Sequence, residues 1–348
     1  MAAGFKTATV NAASVPATQT DMPSYVDLAR IGITTLAEAE SVRVYADSGK
    51  TTEWAREIVS VTEMHVKVPS LTSTVVMYVD WDGVRADYAV GDTFGRNAVW
   101  TGRTAQWHFN ESSGNATDSK SSRVLTNTAV TYGAGQIGNS AIYNQTSSEG
   151  LHTTAATDFD FERTDPFTIA TWVKRSSANT SNQMICAHRN YGATWHGYSV
   201  MVNTVGGVET IQVTVSANGG SSYTINTVGA LSTAWSRLVI THSGSNLNTG
   251  LLIYINGALQ SVTNVGTTAS ASIKNSERFE VGTWGNNSEN RFRGNLDEFG
   301  VSPSVFSQNW ITTEYNNQNA EATFWGTWTT VSGGSPAQAA RRGVIMMM

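Results

Sequence analysis

Charge is scarce in this chain. Asp, Glu, Lys and Arg make up 14% of its 348 residues, against about a quarter in ordinary soluble domains. The net charge of −5, with no cluster of Lys and Arg, excludes a protein that tracks a nucleic-acid backbone. Cysteine is rarer still. The single Cys186 excludes an intrachain disulfide framework and a cysteine zinc site. Long apolar runs are missing. "VIMMM" is among the longest, far short of the roughly 20 residues a spanning helix needs. "MAAGFKTATVNAAS" at the start lacks the apolar centre of an export signal.

Ser, Thr, Asn and Gly fill the gap. That balance suits many β-strands joined by polar turns. "SVRVYAD", "MHVKVPS", "VVMYVDW", "FTIATWVK", "YSVMVN", "TIQVTVS", "SRLVITHS" and "LLIYING" are short, β-branched or aromatic, and mostly alternating. "YINGALQSV" (254–262) predicts a hairpin, since Asn256-Gly257 suits a two-residue turn with φ > 0. "SANGGSSYTI" (216–225) predicts another. Helix signals are few. Thr35-x-x-Glu38 is a capping box for a short helix at 34–40. "SVFSQNWITTEYNNQ" (304–318) predicts a surface helix with Phe306, Trp310 and Thr313 on one face. The fold class is all-β, with a boundary in 91–106. The expected units are a small β-sandwich-like domain at 1–103, a larger β-domain at 104–330 and an extended tail at 331–348.

The histidines, His65, His108, His152, His188, His196 and His242, show neither H-x-H nor H-E-x-x-H spacing. His108 follows Trp107 in an expected strand and reads as a packed core histidine. Trp107, Trp172 and Trp235 occupy strand positions and should build the core. Trp195 and Trp284 lie in polar loops. Sugar rings stack on exposed aromatic faces, with amides, Arg and His supplying hydrogen bonds. Tyr191, Trp195, His196, Trp284, Asn286 and Arg291 are therefore the candidate glycan site; the competing reading is that these rings cover the sandwich edge. In the tail, Arg341 and Arg342 precede an apolar end, Val344 to Met348. Arg341, Arg342, Val344, Ile345 and Met346 form a candidate docking peptide, with a disordered end as the competing reading.

From Ala105 on, the chain resembles the LamG-like (laminin-G, concanavalin A-like) jelly-roll superfamily. The stretches that carry the match are "AQWHFNESSGNATDS", "DPFTIATWVKRSS", "WSRLVITHSGSN…LLIYINGAL" and "FRGNLDEFGVSPSVFSQNWITTEYNNQ". The resemblance implies a two-sheet jelly roll at 104–330. The first hundred residues resemble a small β-domain of unknown function that precedes LamG-like modules in microbial and phage surface proteins. "QTDMPSYVDLARI", "SVRVYADSGKTTEWAREIV" and "HVKVPSLTSTVVMYVDWDG" carry that match. The last stretch departs from the pattern: His65 stands where an aromatic is usual.

Concanavalin A-like glycoside hydrolases carry carboxylates at alternate positions of one strand. Asp297 and Glu298 are adjacent, so on a strand they point to opposite faces and cannot form such a pair. Phe299 and Val301 are expected inward with Asp297, and Glu298 on the other face with Leu296. "DFDFE" has the spacing in Asp158, Asp160 and Glu162, but the resemblance places it in a turn, with Phe159 and Phe161 packed and the acids solvated. Many LamG-like domains bind calcium, for which Asp118, Asp158 and Asp297 are candidate donors and turn capping is the competing role. No cofactor is required. The reading favoured is a non-enzymatic structural or adhesion protein on a phage virion, a decoration, head-fibre or tail-associated component. It would be made in the host cytoplasm without a signal peptide and displayed at the virion surface. Its partners would be capsid or tail proteins through the tail, host surface glycans, and further copies of itself. The alternatives are a secreted bacterial calcium-dependent lectin and a glycoside hydrolase.

Overall fold

In the computed structural model, residues 3–332 are described, apart from 122, 147, 155–156, 177–181, 193, 206–207, 230, 287 and 289. The candidate docking residues 341–346 lie outside this set. The chain builds two antiparallel sandwiches, a smaller one from its two ends and a larger one from the stretch between them.

The larger sandwich has a nine-stranded sheet, running from Val262–Val265 at one edge to Ala116–Thr117 at the other. An eight-stranded sheet faces it, with Pro166–Arg175 and Arg293–Ser302 side by side near its centre. Alternation builds the core. Val200 and Val202, Val213 and Val215 point inward from one sheet; Leu238 and Ile240, Ile169 and Val173 meet them from the other. Both predicted hairpins are present. Leu251–Ile255 turns into Ala258–Leu259 through Asn256 (φ 53) and Gly257 (φ 78), the left-handed pair the sequence suggested. Val208–Ser216 pairs with Ser222–Thr227. Trp107 and Trp172 are fully buried, as expected, whereas Trp235 is only half-buried, beneath Lys174.

The smaller sandwich sets a five-stranded sheet against a three-stranded one. Ala8, Val44, Met77 and Val79 of the first pack on Met22, Val26, Met64, Val66 and Val68 of the second. Its helix Leu36–Glu40 carries the capping box in full. Residues 321–330, grouped with the jelly roll in the sequence reading, pack here instead. Thr329–Thr330 pairs with the first strand, Gly4–Thr9, and Phe324, Trp325 and Trp328 enter this core. The polypeptide thus leaves the small sandwich, builds the jelly roll and returns.

The return runs through the helix Gln308–Asn319, capped by Ser307. The sequence reading gave it an apolar face of Phe306, Trp310 and Thr313. The structure places Phe306 ahead of the helix, and the buried face is mostly polar: Ile311, Thr313, Glu314, Asn317 and Gln318. The reason is its position between the two units. Asn317 accepts from the Tyr25 amide (2.6 Å) and donates to the Tyr25 carbonyl (3.0 Å) in the small sandwich. Gln318 accepts from the Trp172 indole (2.7 Å), and Glu314 takes Arg103 (2.5 Å) and Arg237 (2.9 Å).

The eight-stranded sheet carries a register irregularity at its centre. Between Ala170 and Trp172 the pairing with Arg293–Ser302 slips by one residue. Glu298 sits there with φ 47, a β-bulge. Leu296, Phe299 and Val301 consequently all reach the core. The expectation that Leu296 and Phe299 lie on opposite faces fails for this reason.

Candidate functional site

The candidate glycan residues divide. Tyr191 and Trp195 are exposed, at 48% and 56%. Trp195 adopts φ 47, a left-handed conformation unusual for a bulky residue. Its carbonyl accepts from Arg189 Nε at 2.8 Å. Trp284 is buried, packed with Met184, Ala187 and Met201. Its indole donates to the Arg189 carbonyl (3.0 Å), and Tyr191 meets it edge-on at 5.3 Å. The Arg189 guanidinium lies over the Trp284 ring at 5.4 Å. Gly285 allows this approach: at φ 66 its missing Cβ would fall 2.7 Å from the Tyr191 ring. His196 is half-buried and bonded to Thr194 (2.9 Å); Asn286 is exposed; Arg291 is half-buried. Trp195, Tyr191 and Trp284 are thus gathered around Arg189. Burial lowers the pKa of Arg189 to about 10, so it stays charged at neutral pH. Among the described residues no carboxylate pairs with it. Sequence reasoning missed Arg189, the last residue of the strand Gln183–Arg189, two residues before Tyr191 in the loop that follows.

The candidate calcium donors are occupied otherwise. Asp118 is buried and accepts from the amides of Gln106 (2.9 Å) and Lys120 (2.8 Å) and from Ser121 (2.5 Å). Arg123 bridges it to Asp158, at 3.3 and 2.7 Å. Asp297 accepts from the Gln136 and Ile137 amides, both 2.9 Å, far away in sequence and not local. Burial, reinforced by the Glu298 carboxylate, pushes its pKa well above the ordinary range. "DFDFE" is no strand: Thr157–Phe159 is a 3₁₀ turn. Asp160 caps the Asn275 amide (2.9 Å) and Glu162 binds Ser272 (2.6 Å). Phe159 and Phe161 are buried, as expected.

A different set of titratable groups converges where the two sandwiches meet. Met64, Val66 and Val68 face the small core, so alternation turns Glu63 and His65 the other way. Glu57 pairs with His65 across the sheet. From the jelly roll, Trp107 pairs with Phe299, which carries His108 toward Glu298 at the bulge. All five are buried. His108 Nδ1 is 2.5 Å from Glu298 Oε1 and 3.4 Å from Glu63 Oε1; His65 Nε2 is 3.1 Å from Glu63 Oε1 and 3.8 Å from Glu298 Oε1. His108 Nε2 lies 3.2 Å from Glu57 Oε2. Burial opposes the charge on Glu298, but His108 and His65 outweigh it and hold the carboxyl at about 2. Burial also opposes charging of His108, yet Glu298 and Glu57 raise it well above the imidazole norm. His108 is buried and packed, as the sequence reading has it, but both of its nitrogens also meet carboxylates. The His65 departure from the aromatic pattern was the one visible sign of this cluster.

Residues 146–312, which carry most of the two large sheets, match the family model for the concanavalin A-like lectin/glucanases superfamily. That stretch is a concanavalin A-like domain, as its sequence motifs implied. No curated protein matches the chain by sequence. Among solved structures, the binding domain of Paraclostridial Mosquitocidal Protein 1 gives a TM-score of 0.49 at 15% identity, over 62% of this chain and 52% of that one. The botulinum neurotoxin serotype G binding domain gives 0.48 at 14%, over 61% and 50%. Domain 4 of AbnA, an extracellular arabinanase from Geobacillus stearothermophilus, in complex with arabinotriose, gives 0.44 at 15%, over 61% and 98%. The chain spans about half the length of the two toxin domains.

Proposed function

We propose that this protein is a non-enzymatic adhesion module that binds glycans through the loops around Arg189 and is displayed on the surface of a phage particle. The observation that carries the binding reading is the pair of exposed rings, Tyr191 and Trp195, beside a guanidinium with no carboxylate partner among the described residues. A sugar ring stacks on Trp195 or Tyr191, and Arg189 donates to its hydroxyl or carboxylate oxygens. Trp284 supports Arg189 from beneath instead of meeting the sugar. The display reading draws on the resemblance of the first hundred residues to a domain of phage and microbial surface proteins, with residues 331–348 as the docking segment.

A glycan array followed by titration of the best binder tests the site. Trp195→Ala and Arg189→Gln should each weaken binding about tenfold, roughly 1.4 kcal/mol, with the fold intact by circular dichroism. Unchanged affinity in both variants sinks the site. Co-purification with particles, lost on deletion of 332–348, tests the display reading; retention by the truncated chain removes the docking role.

A further inference from the structure

The buried cluster between the sandwiches gathers three carboxyl groups around two imidazoles. Glu57, Glu63 and Glu298 are all nearly inaccessible to solvent. Among the described residues, their ion-pair partners are two imidazoles, His65 and His108. The nearby Arg103 and Arg237 side chains pair with Glu314. Buried charges are normally paired or bound to metal. The two rings stack at 4.6 Å. His65 Nε2 and His108 Nδ1 both turn to the same two carboxylate oxygens, Glu63 Oε1 and Glu298 Oε1.

We infer that Glu63, His65, His108 and Glu298 form a closed four-ligand site for a divalent transition-metal ion, zinc by chemistry, which fastens the small sandwich to the jelly roll. The donor set of two nitrogens and two carboxylate oxygens suits zinc. Their four ligand atoms lie within 4.8 Å of one another. A tetrahedral zinc with bonds near 2.05 Å has ligand–ligand edges of roughly 3.3 Å. The separations of 2.5, 3.1, 3.4 and 3.8 Å bracket that value.

The surrounding shell has the form of an orienting shell for metal ligands. The far nitrogen of His108 meets Glu57, which is itself held by the Trp100 indole (2.5 Å) and Ser119 (2.6 Å). This is a carboxylate–histidine–metal relay. The outer oxygen of Glu298 accepts from Gln106 (3.0 Å), and that of Glu63 from Asn110. The outward atoms of these three ligands are thus satisfied, and the inward atoms face one another. A cleft of about 240 Å³, lined in part by Val59, Arg96, Asn110 and Thr117, reaches His108 and gives an ion a way in. Four protein ligands leave no open position, so the ion is structural.

The test uses the full chain, freed of metal by a chelating resin and re-equilibrated with zinc or cobalt, and is independent of glycan binding. About one zinc per chain should be retained after gel filtration, by mass spectrometry of the metal. The cobalt form should show the intense visible absorption of a four-coordinate ion. Glu57→Gln should weaken zinc about ten- to a hundredfold, and His65→Gln should abolish stoichiometric binding. A wild-type chain that is folded by circular dichroism yet retains neither metal overturns the inference. So does zinc binding that is unchanged in both variants, since the ion would then sit elsewhere. If His65→Gln does not fold, the wild-type stoichiometry, the cobalt spectrum and Glu57→Gln still decide.

Discussion

Trp195 and Trp284 look alike in the sequence, each in a Gly- and Asn-rich loop. In the structure one is exposed and the other fills a gap behind the sheet between Met184 and Met201. Trp284→Ala should therefore cost about 3 kcal/mol in chemical denaturation, the scale of a large core truncation. Trp195→Ala should change stability by less than about 0.5 kcal/mol. A reversed order would mean that the two rings had exchanged roles. Local chemistry marked both as loop residues, but which ring is covered depends on Met184, Ala187 and Met201 from neighbouring strands. That information is non-local. The buried cluster was hidden for the same reason. Glu57, Glu63 and His65 are separated by more than forty residues from His108, and by far more from Glu298, so no spacing rule links them. Only the oddity of His65 showed.

At the scale of elements, the alternating strands and the Asn256-Gly257 turn were legible, because period and turn chemistry are local. The register of Arg293–Ser302 was not. Bulges with a left-handed residue favour Gly, and here the residue is Glu298, so nothing in "LDEF" announced it. The helix Gln308–Asn319 was found, but its buried polar face was misread. Its partners are buried groups of two different domains, which apolar periodicity does not report. Glu314 is the sharpest case, with both oxygens on buried arginines. Burial disfavours its charge, but Arg237 and Arg103 hold its carboxyl below the usual range. Glu314→Ala strands two guanidinium groups and should cost about 3–5 kcal/mol, read from the denaturant midpoint. An unchanged midpoint would show that the pairs contribute nothing.

For the molecule as a whole, three histidines of the jelly roll set an acid limit. Burial, with Arg278 nearby, lowers His152 to about 4. Burial also lowers His188, against the pull of Asp160, and His242, against its contact with Asp165. Unfolded, each would titrate near 6.5. The unfolded chain then binds more protons than the folded one below that pH. Their contribution is present in full above about pH 6.5 and is lost as pH falls toward 4. The melting temperature should drop between pH 7 and pH 5. His242 accepts or donates to Tyr223 at 2.7 Å and stacks on Phe167. His242→Gln should flatten the slope even though it lowers the starting value. A slope that His242→Gln leaves unchanged refutes the assignment.

The return of the chain to its starting sandwich bears on how a ribosome delivers it. Domains usually complete themselves in the order in which they are synthesised. Here the strand Gly4–Thr9 emerges more than three hundred residues before its neighbour Thr329–Thr330. Phe324, Trp325 and Trp328, which close the same core, are equally late. The sandwich begun before the jelly roll is finished after it. Until translation has passed the whole jelly roll, the nascent small sandwich carries an open apolar flank, and chaperones that read such flanks have that interval in which to act.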